Sequence, residues 1–184
     1  SDHFYKNQRE FENMENIELY ISPDIPEEAF MNFILCCQNS KFAINNSIIF
    51  PLYQLSIQYE VAYLLTETQN YIRKNHKELV FHLISFKNQL KSENVELSQK
   101  IESIEGSQIE EDIISSHFFE YTNDIRLVQL PIPILFRIIK KSDLSFDSMS
   151  EEIQMNFFDF LFKCLDEHGK QASTLFSDID FSKV

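Results

Sequence analysis

Glycine is nearly missing from this sequence: there are 2 in 184 residues, and tryptophan is absent altogether. Loops that cradle phosphates or dinucleotides, and the tightest strand turns, need positive φ or close backbone approach, which glycine supplies. Their lack excludes a phosphate-cradling loop and leaves little room for β-hairpins. Cysteine is also sparse. Cys36, Cys37 and Cys164 make an odd set with two neighbours adjacent, a poor disulfide framework and a better fit to reduced thiols in a cytoplasmic setting. Positive charge is in short supply: 16 Lys and Arg face 29 Asp and Glu, a formal net charge of -13. A field of that sign repels phosphate backbones and anionic bilayers, which argues against nucleic-acid and membrane partners. No apolar run is long enough to span a bilayer, and nothing resembles a signal peptide.

What is present is apolar bulk. Eighteen phenylalanines help bring the hydrophobic fraction to 43%, enough to close a substantial core in one medium or two small domains. The patterning is mostly helical. After a polar lead-in over 1–16, Ile17, Leu19 and Ile21 alternate with polar residues and predict a short strand that Pro23 ends. Pro26 with Glu27 and Glu28 starts a helix carrying Phe30, Phe33, Ile34 and Cys37 to about Gln38. Lys41 to Ile44 reads as extended. Asn46 or Ser47 is placed to cap a helix with Ile48, Leu52, Leu55 and Tyr59 on its buried stripe, and a further helix runs from Leu64 to about Asn75.

From His76 the pattern changes. Leu83, Leu90, Leu97 and Ile104 recur every seventh residue with Leu79, Phe86 and Ile101 beside them, predicting a long helix or a helical pair and a domain seam near Asn75-His76. Gly106-Ser107 interrupts this run. A helix over Ile109 to Tyr121, a short apolar link at Leu127 to Leu130, and a helix from Pro131 and Pro133 to Lys140 and Lys141 follow. After a polar loop, Ser150 begins a helix so rich in Phe157, Phe158, Phe160, Leu161 and Phe162 that it should be the most buried element, with Gly169 as its stop. Ala172, Leu175 and Phe176 begin one more helical turn. The expected fold is therefore mostly α, a bundle of paired helices with at most one or two short strands near the N-terminus.

Chemistry-bearing patterns are weak. There is no GxSxG elbow and no HExxH pair, and the five histidines are scattered. A nucleophilic Cys36 or Cys37 partnered by a distant histidine is the enzyme alternative, weighed against structural thiols on a helix. Cys164 and His168 share a helix face at i, i+4 and could hold a metal, weighed against a core thiol beside an exposed histidine. The acids Glu110, Glu111 and Asp112, like Glu27-Glu28 and Glu151-Glu152, sit at helix starts, where negative charge is favourable. Arg137, a cation within the apolar stretch LPIPILFRIIKK, could pair with a buried acid, anchor an interface or snorkel at the helix flank. No cofactor is expected. Tyr53, Tyr59, Tyr63 and Arg137 are the candidate partner-binding residues, because tyrosine and arginine are common interface anchors.

Residues 17–75, with Ile25-Pro26, Ala29-Phe30, Phe33-Ile34 and the run Gln58-Tyr59-Glu60-Val61 leading to Leu64 and Thr68, resemble the second half of a BTB/POZ fold. Residues 76–184, carried by Phe118 to Leu130 and LPIPILFRIIKKS, resemble the helical BACK extension that follows BTB domains. The pairing is similar to protist proteins in which a BTB/BACK-like region precedes ankyrin repeats. The resemblance implies a partial BTB/POZ-like region over 1–75 and a BACK-like region over 76–184. It implies a non-enzymatic protein-interaction module of a cytosolic adaptor or scaffold. Its sharper form is a substrate adaptor of a cullin-class ubiquitin ligase, and the alternative is a component bound to a cytoskeletal or other large assembly. Partners would be a cullin, the rest of the same protein, or such an assembly. The first BTB half, which carries much of that family's homodimer surface, has no counterpart before Ser1, so a homodimer stays open. A start at Ser rather than Met leads us to expect a longer protein, with further repeats as the partner-reading part.

Overall fold

A computed structural model of the chain describes residues 24–104, 108–142, 144 and 149–177. The lead-in over 1–16, the strand expected at Ile17–Ser22, the Gly106-Ser107 break and most of the polar loop before Ser150 lie outside the described residues. Within them the protein is mostly α and contains no strand. The chain divides into two compact units, Ser1–Gly106 and Ser107–Val184. The Asn75-His76 boundary suggested by the change of pattern falls inside the first unit, because the helix that begins there packs back on the helix before it.

In the first unit, α1 (Glu27–Cys37) follows Pro26, whose φ of -58° presets the helical turn, and buries Ala29, Phe33 and Cys36. It ends where Asn39 takes φ +55°, with the Asn39 amide donating to Cys36 O and the Ser40 amide to Leu35 O. Next, α2 (Ile49–Gln58) ends in the same way at Glu60, φ +56°, with Glu60 N on Ile57 O and Val61 N on Ser56 O. These are Schellman endings, which ordinarily use glycine. In a glycine-poor chain, Asn and Glu are forced into the left-handed region instead.

The cap expected at Asn46 or Ser47 is not used. Asn45 closes the turn before α2, its Oδ1 accepting from the Ser47 and Ile48 amides at 3.0 and 3.2 Å. Asn46 instead bonds Glu78 and the Tyr71 hydroxyl. Helix α2 is the most enclosed element, with no exposed residue and with Ile49, Leu52, Tyr53, Leu55 and Ile57 buried. It is packed by α1, by α3 (Ala62–Lys74), and by α5 (Val95–Ile104). The heptad run forms a helical pair: α4 (His76–Glu93) stops at Asn94, which is extended at φ -143°, and α5 continues beyond it. Leu79, Leu83, Leu90, Leu97 and Ile101 are all buried along this seam. Asn94 also starts α5, accepting from the Leu97 amide at 3.0 Å.

The second unit holds α6 (Ile109–Ser116), α7 (Phe118–Tyr121), α8 (Ile125–Val128), α9 (Ile132–Lys141), α10 (Glu151–His168) and a 3-10 segment, Gly169–Phe176. The single helix expected over 109–121 breaks at His117, whose amide is shared between Ile113 O and Ile114 O. The apolar link becomes one helical turn, α8, because the Asp124 carboxylate accepts from the Arg126 amide. Ser150 and Gly169 bound α10 as the sequence requires, the glycine at φ +57°. Phe118, Phe157 and Phe160 form an aromatic centre with ring centroids 5.4 to 6.4 Å apart. Helix α10 is nonetheless not the most buried element: Met155 is 62% and Phe162 60% exposed. Its phenylalanines occupy more than one face, and only the face of Phe157, Phe160, Leu161 and Cys164 meets the core.

Candidate interaction site

An open groove of about 670 Å³ runs along the first unit between the 39–44 segment and α3, lined among others by Lys41, Phe42, Ile44, Tyr63, Glu67 and Lys74. This segment is held in place by side chains of its neighbours. Asn32 Oδ1 accepts from the Ala43 amide at 2.7 Å, and Asn45 Nδ2 donates to Glu28 Oε1 at 3.0 Å. Tyr63 stands at the start of α3, 62% exposed, with Phe42 edge-on at 6.2 Å and 84°. Tyr71 forms part of the wall, its hydroxyl fixed on Asn46 Oδ1 at 2.9 Å. The groove therefore offers an aromatic ledge with one acid and two lysines around it.

The other candidate residues sit elsewhere. Tyr53 is fully buried, with Lys87 Nζ 5.9 Å from its ring centroid, so it is a core residue and not an exposed anchor. It lies inside with Leu52 because α2 has no exposed residue. Tyr59 is half-buried against Phe33, ring centroids 5.3 Å apart, and burial raises its phenol pKa. Of the three tyrosines, Tyr53 and Tyr59 thus belong to the packing of the first unit, and Tyr63 alone is exposed.

Arg137 pairs with a buried acid. Its Nε lies 3.0 and 3.1 Å from the two Glu111 carboxylate oxygens and its Nη2 2.6 Å from Oε1, a bidentate grip. The Glu111 side chain is only 2% exposed, whereas Arg137 is 43% exposed. Lys141 adds a second cation, 3.6 Å from Glu111 Oε2 and 2.8 Å from Asp112 Oδ1. The Glu111 hydrogen bond raises the Arg137 pKa, and the Asp112 bond does the same for Lys141. This network clamps α6 to α9. Its acid was legible only as a helix-start charge, although an arginine in an apolar helix should prompt a search for a buried counter-ion.

The thiols are not activated. Burial pushes the Cys164 thiol up to about 12, and burial together with Cys37 and Glu67 pushes Cys36 up to about 11; Cys37 is raised as well. Thiolate nucleophiles and metal ligands require the opposite shift. His168, the suggested co-ligand of Cys164, has its Nε2 2.7 Å from Val128 O, tying the end of α10 to α8. Among the described residues, neither unit by itself gathers three His, Cys, Asp or Glu ligand atoms. No helix among them is long and apolar enough to cross a membrane. No family model, no curated protein and no solved structure matches this chain.

Proposed function

We propose that this chain is a non-enzymatic protein-interaction module of a cytosolic adaptor or scaffold, and that the groove beside Tyr63 is where it meets a partner. The exposed Tyr63 ring, backed by Phe42 and bordered by Lys41 and Lys74, carries the reading. Large aromatics at the rim of a preformed groove are the usual energetic anchors of protein contacts. The raised thiol pKa values support a non-catalytic role. The resemblance to a BTB/POZ–BACK arrangement supplies the sharper version, a cullin-class ligase adaptor.

The test is affinity capture from cytosol with the wild-type chain and Tyr63→Ala, an exposed position whose loss leaves the core intact. A cullin recovered by the wild type and lost with the variant supports the ligase adaptor. Cytoskeletal or other assembly proteins, recovered and lost in the same manner, support a scaffold. Equal recovery by both proteins refutes the groove as the contact.

A further inference from the structure

The second unit carries an apolar stripe that its own core does not use. At about 100° per residue, Met155, Asp159, Phe162 and Asp166 fall within a sector of α10 about 60° wide, on the side opposite Phe157, Phe160, Leu161 and Cys164. All four stripe residues are exposed, as are Glu151 and Glu152 at its N-terminal end. Met155 and Phe162 stand 62% and 60% exposed, two helical turns apart, and acids alternate with them along the helix. Lys163 borders the stripe, but its Nζ is turned to Asn123 Oδ1 at 3.3 Å. The face is therefore both hydrophobic and strongly negative.

That combination selects its occupant. An anionic bilayer or a nucleic acid would insert nothing favourable against four carboxylates. A second copy laid face to face would set acid against acid. A divalent cation has no use for Met155 and Phe162. What fits is a helix whose apolar side chains repeat at i and i+7 and whose flanks carry lysine or arginine. We propose that this face of α10 docks a basic amphipathic helix of another protein. The flexible Met155 thioether and the Phe162 ring supply the apolar contact, and Asp159, Asp166, Glu151 and Glu152 supply register and orientation. The proposal stands apart from the Tyr63 groove, which belongs to the other unit.

The test uses the whole chain and a fluorescent leucine–lysine peptide whose leucines lie at helical spacing. A scrambled peptide of identical composition and a leucine–glutamate analogue are the controls. Anisotropy titration should show the helical peptide binding at least about tenfold tighter than the scrambled one, with no binding of the glutamate analogue. Met155→Gln with Phe162→Asn should weaken binding by about tenfold or more, as should Asp159→Lys with Asp166→Lys. Both pairs are on the surface, and circular dichroism checks that each stays folded. Tyr63→Ala should leave peptide affinity unchanged, which separates this site from the groove. Three results would overturn the proposal: equal binding of the scrambled peptide, which means charge alone; displacement of the peptide by micromolar calcium or magnesium, which means a cation site; or a wild-type dimer that Phe162→Asn dissociates, which means the face belongs to a second copy.

Discussion

The clamp between α6 and α9 should respond unequally to loss of its two partners. Replacing Arg137 by alanine strands the Glu111 carboxylate, which is 2% exposed, with Lys141 at 3.6 Å as the remaining counter-charge among the described residues. Charge-assisted hydrogen bonds contribute about 1.5–3 kcal/mol each in net terms, and a buried charge left without its partner costs about 3–5 kcal/mol. The remaining lysine and the 43% exposure of Arg137 reduce the penalty, so we expect Arg137→Ala to destabilise by about 2–3 kcal/mol. Glu111→Gln removes the negative charge but keeps the shape and one acceptor oxygen. The two cations it leaves, 43% and 39% exposed, can be solvated by water, so the loss should be about 1 kcal/mol. Arg137→Lys should recover less than half of the alanine loss, because an ammonium cannot reproduce the bidentate grip. Urea unfolding followed by circular dichroism gives the three values, and amide exchange in α6 and α9 shows where the loss acts. If Glu111→Gln costs as much as Arg137→Ala, or if Arg137→Ala costs under about 0.5 kcal/mol, the assignment of the network as a buried clamp is wrong.

Three further outcomes are expected. Glu60→Gly should stabilise the first unit by about 0.5–1 kcal/mol in thermal or urea unfolding, since glycine relieves a left-handed strain of about 1–2 kcal/mol and gives back part of it as unfolded-chain entropy; the Glu60 contact with Lys100, 3.8 Å long and exposed, takes little away. Asp124→Asn should retain the α8 cap and lose only the ionic part of the Arg126 contact, about 0.5 kcal/mol at neutral pH. The Arg126 side-chain hydrogen bond lowers the Asp124 pKa from 3.8, so that part is present above this value and fades as pH falls through the lowered one; the wild-type and variant unfolding curves should converge in that window. Cys36 and Cys164 should resist a disulfide-exchange reagent in the native chain at neutral pH, since shifts from 9.0 to about 11 and about 12 cut their thiolate fractions roughly 100-fold and 1,000-fold; rapid labelling of either before unfolding would contradict their placement.

Local signals fixed the helices where one residue was enough to start or stop them. Pro26, Ser150, Gly169 and the Pro131/Pro133 pair act on the backbone within a turn, and every one of these boundaries is legible in the chain. The seven-residue recurrence likewise marks a buried seam: helical period puts Leu83 and Leu90 on one face of α4, whereas Leu97 joins them only through the packing of α5 beyond the break at Asn94. Boundaries that depend on geometry were not legible. Asn45, Asn46 and Ser47 are chemically able to organise the same turn; in the fold Asn45 closes it and is held by Glu28, while Asn46 is engaged by Glu78 and Tyr71, residues distant in the chain.

By itself, the sequence determined that this chain is mostly helical and acidic, since those properties follow from composition and short-range periodicity. Only the tertiary structure decided that Tyr53 is enclosed while Tyr63 faces outward, that Arg137 grips Glu111 across 26 positions, and that α10 turns Met155 and Phe162 away from its core. Periodicity tells which residues share a face of a helix, but not how many other helices cover it. That number is set by the crossing of segments far apart in the chain, and it decides whether an aromatic ring becomes core or contact surface.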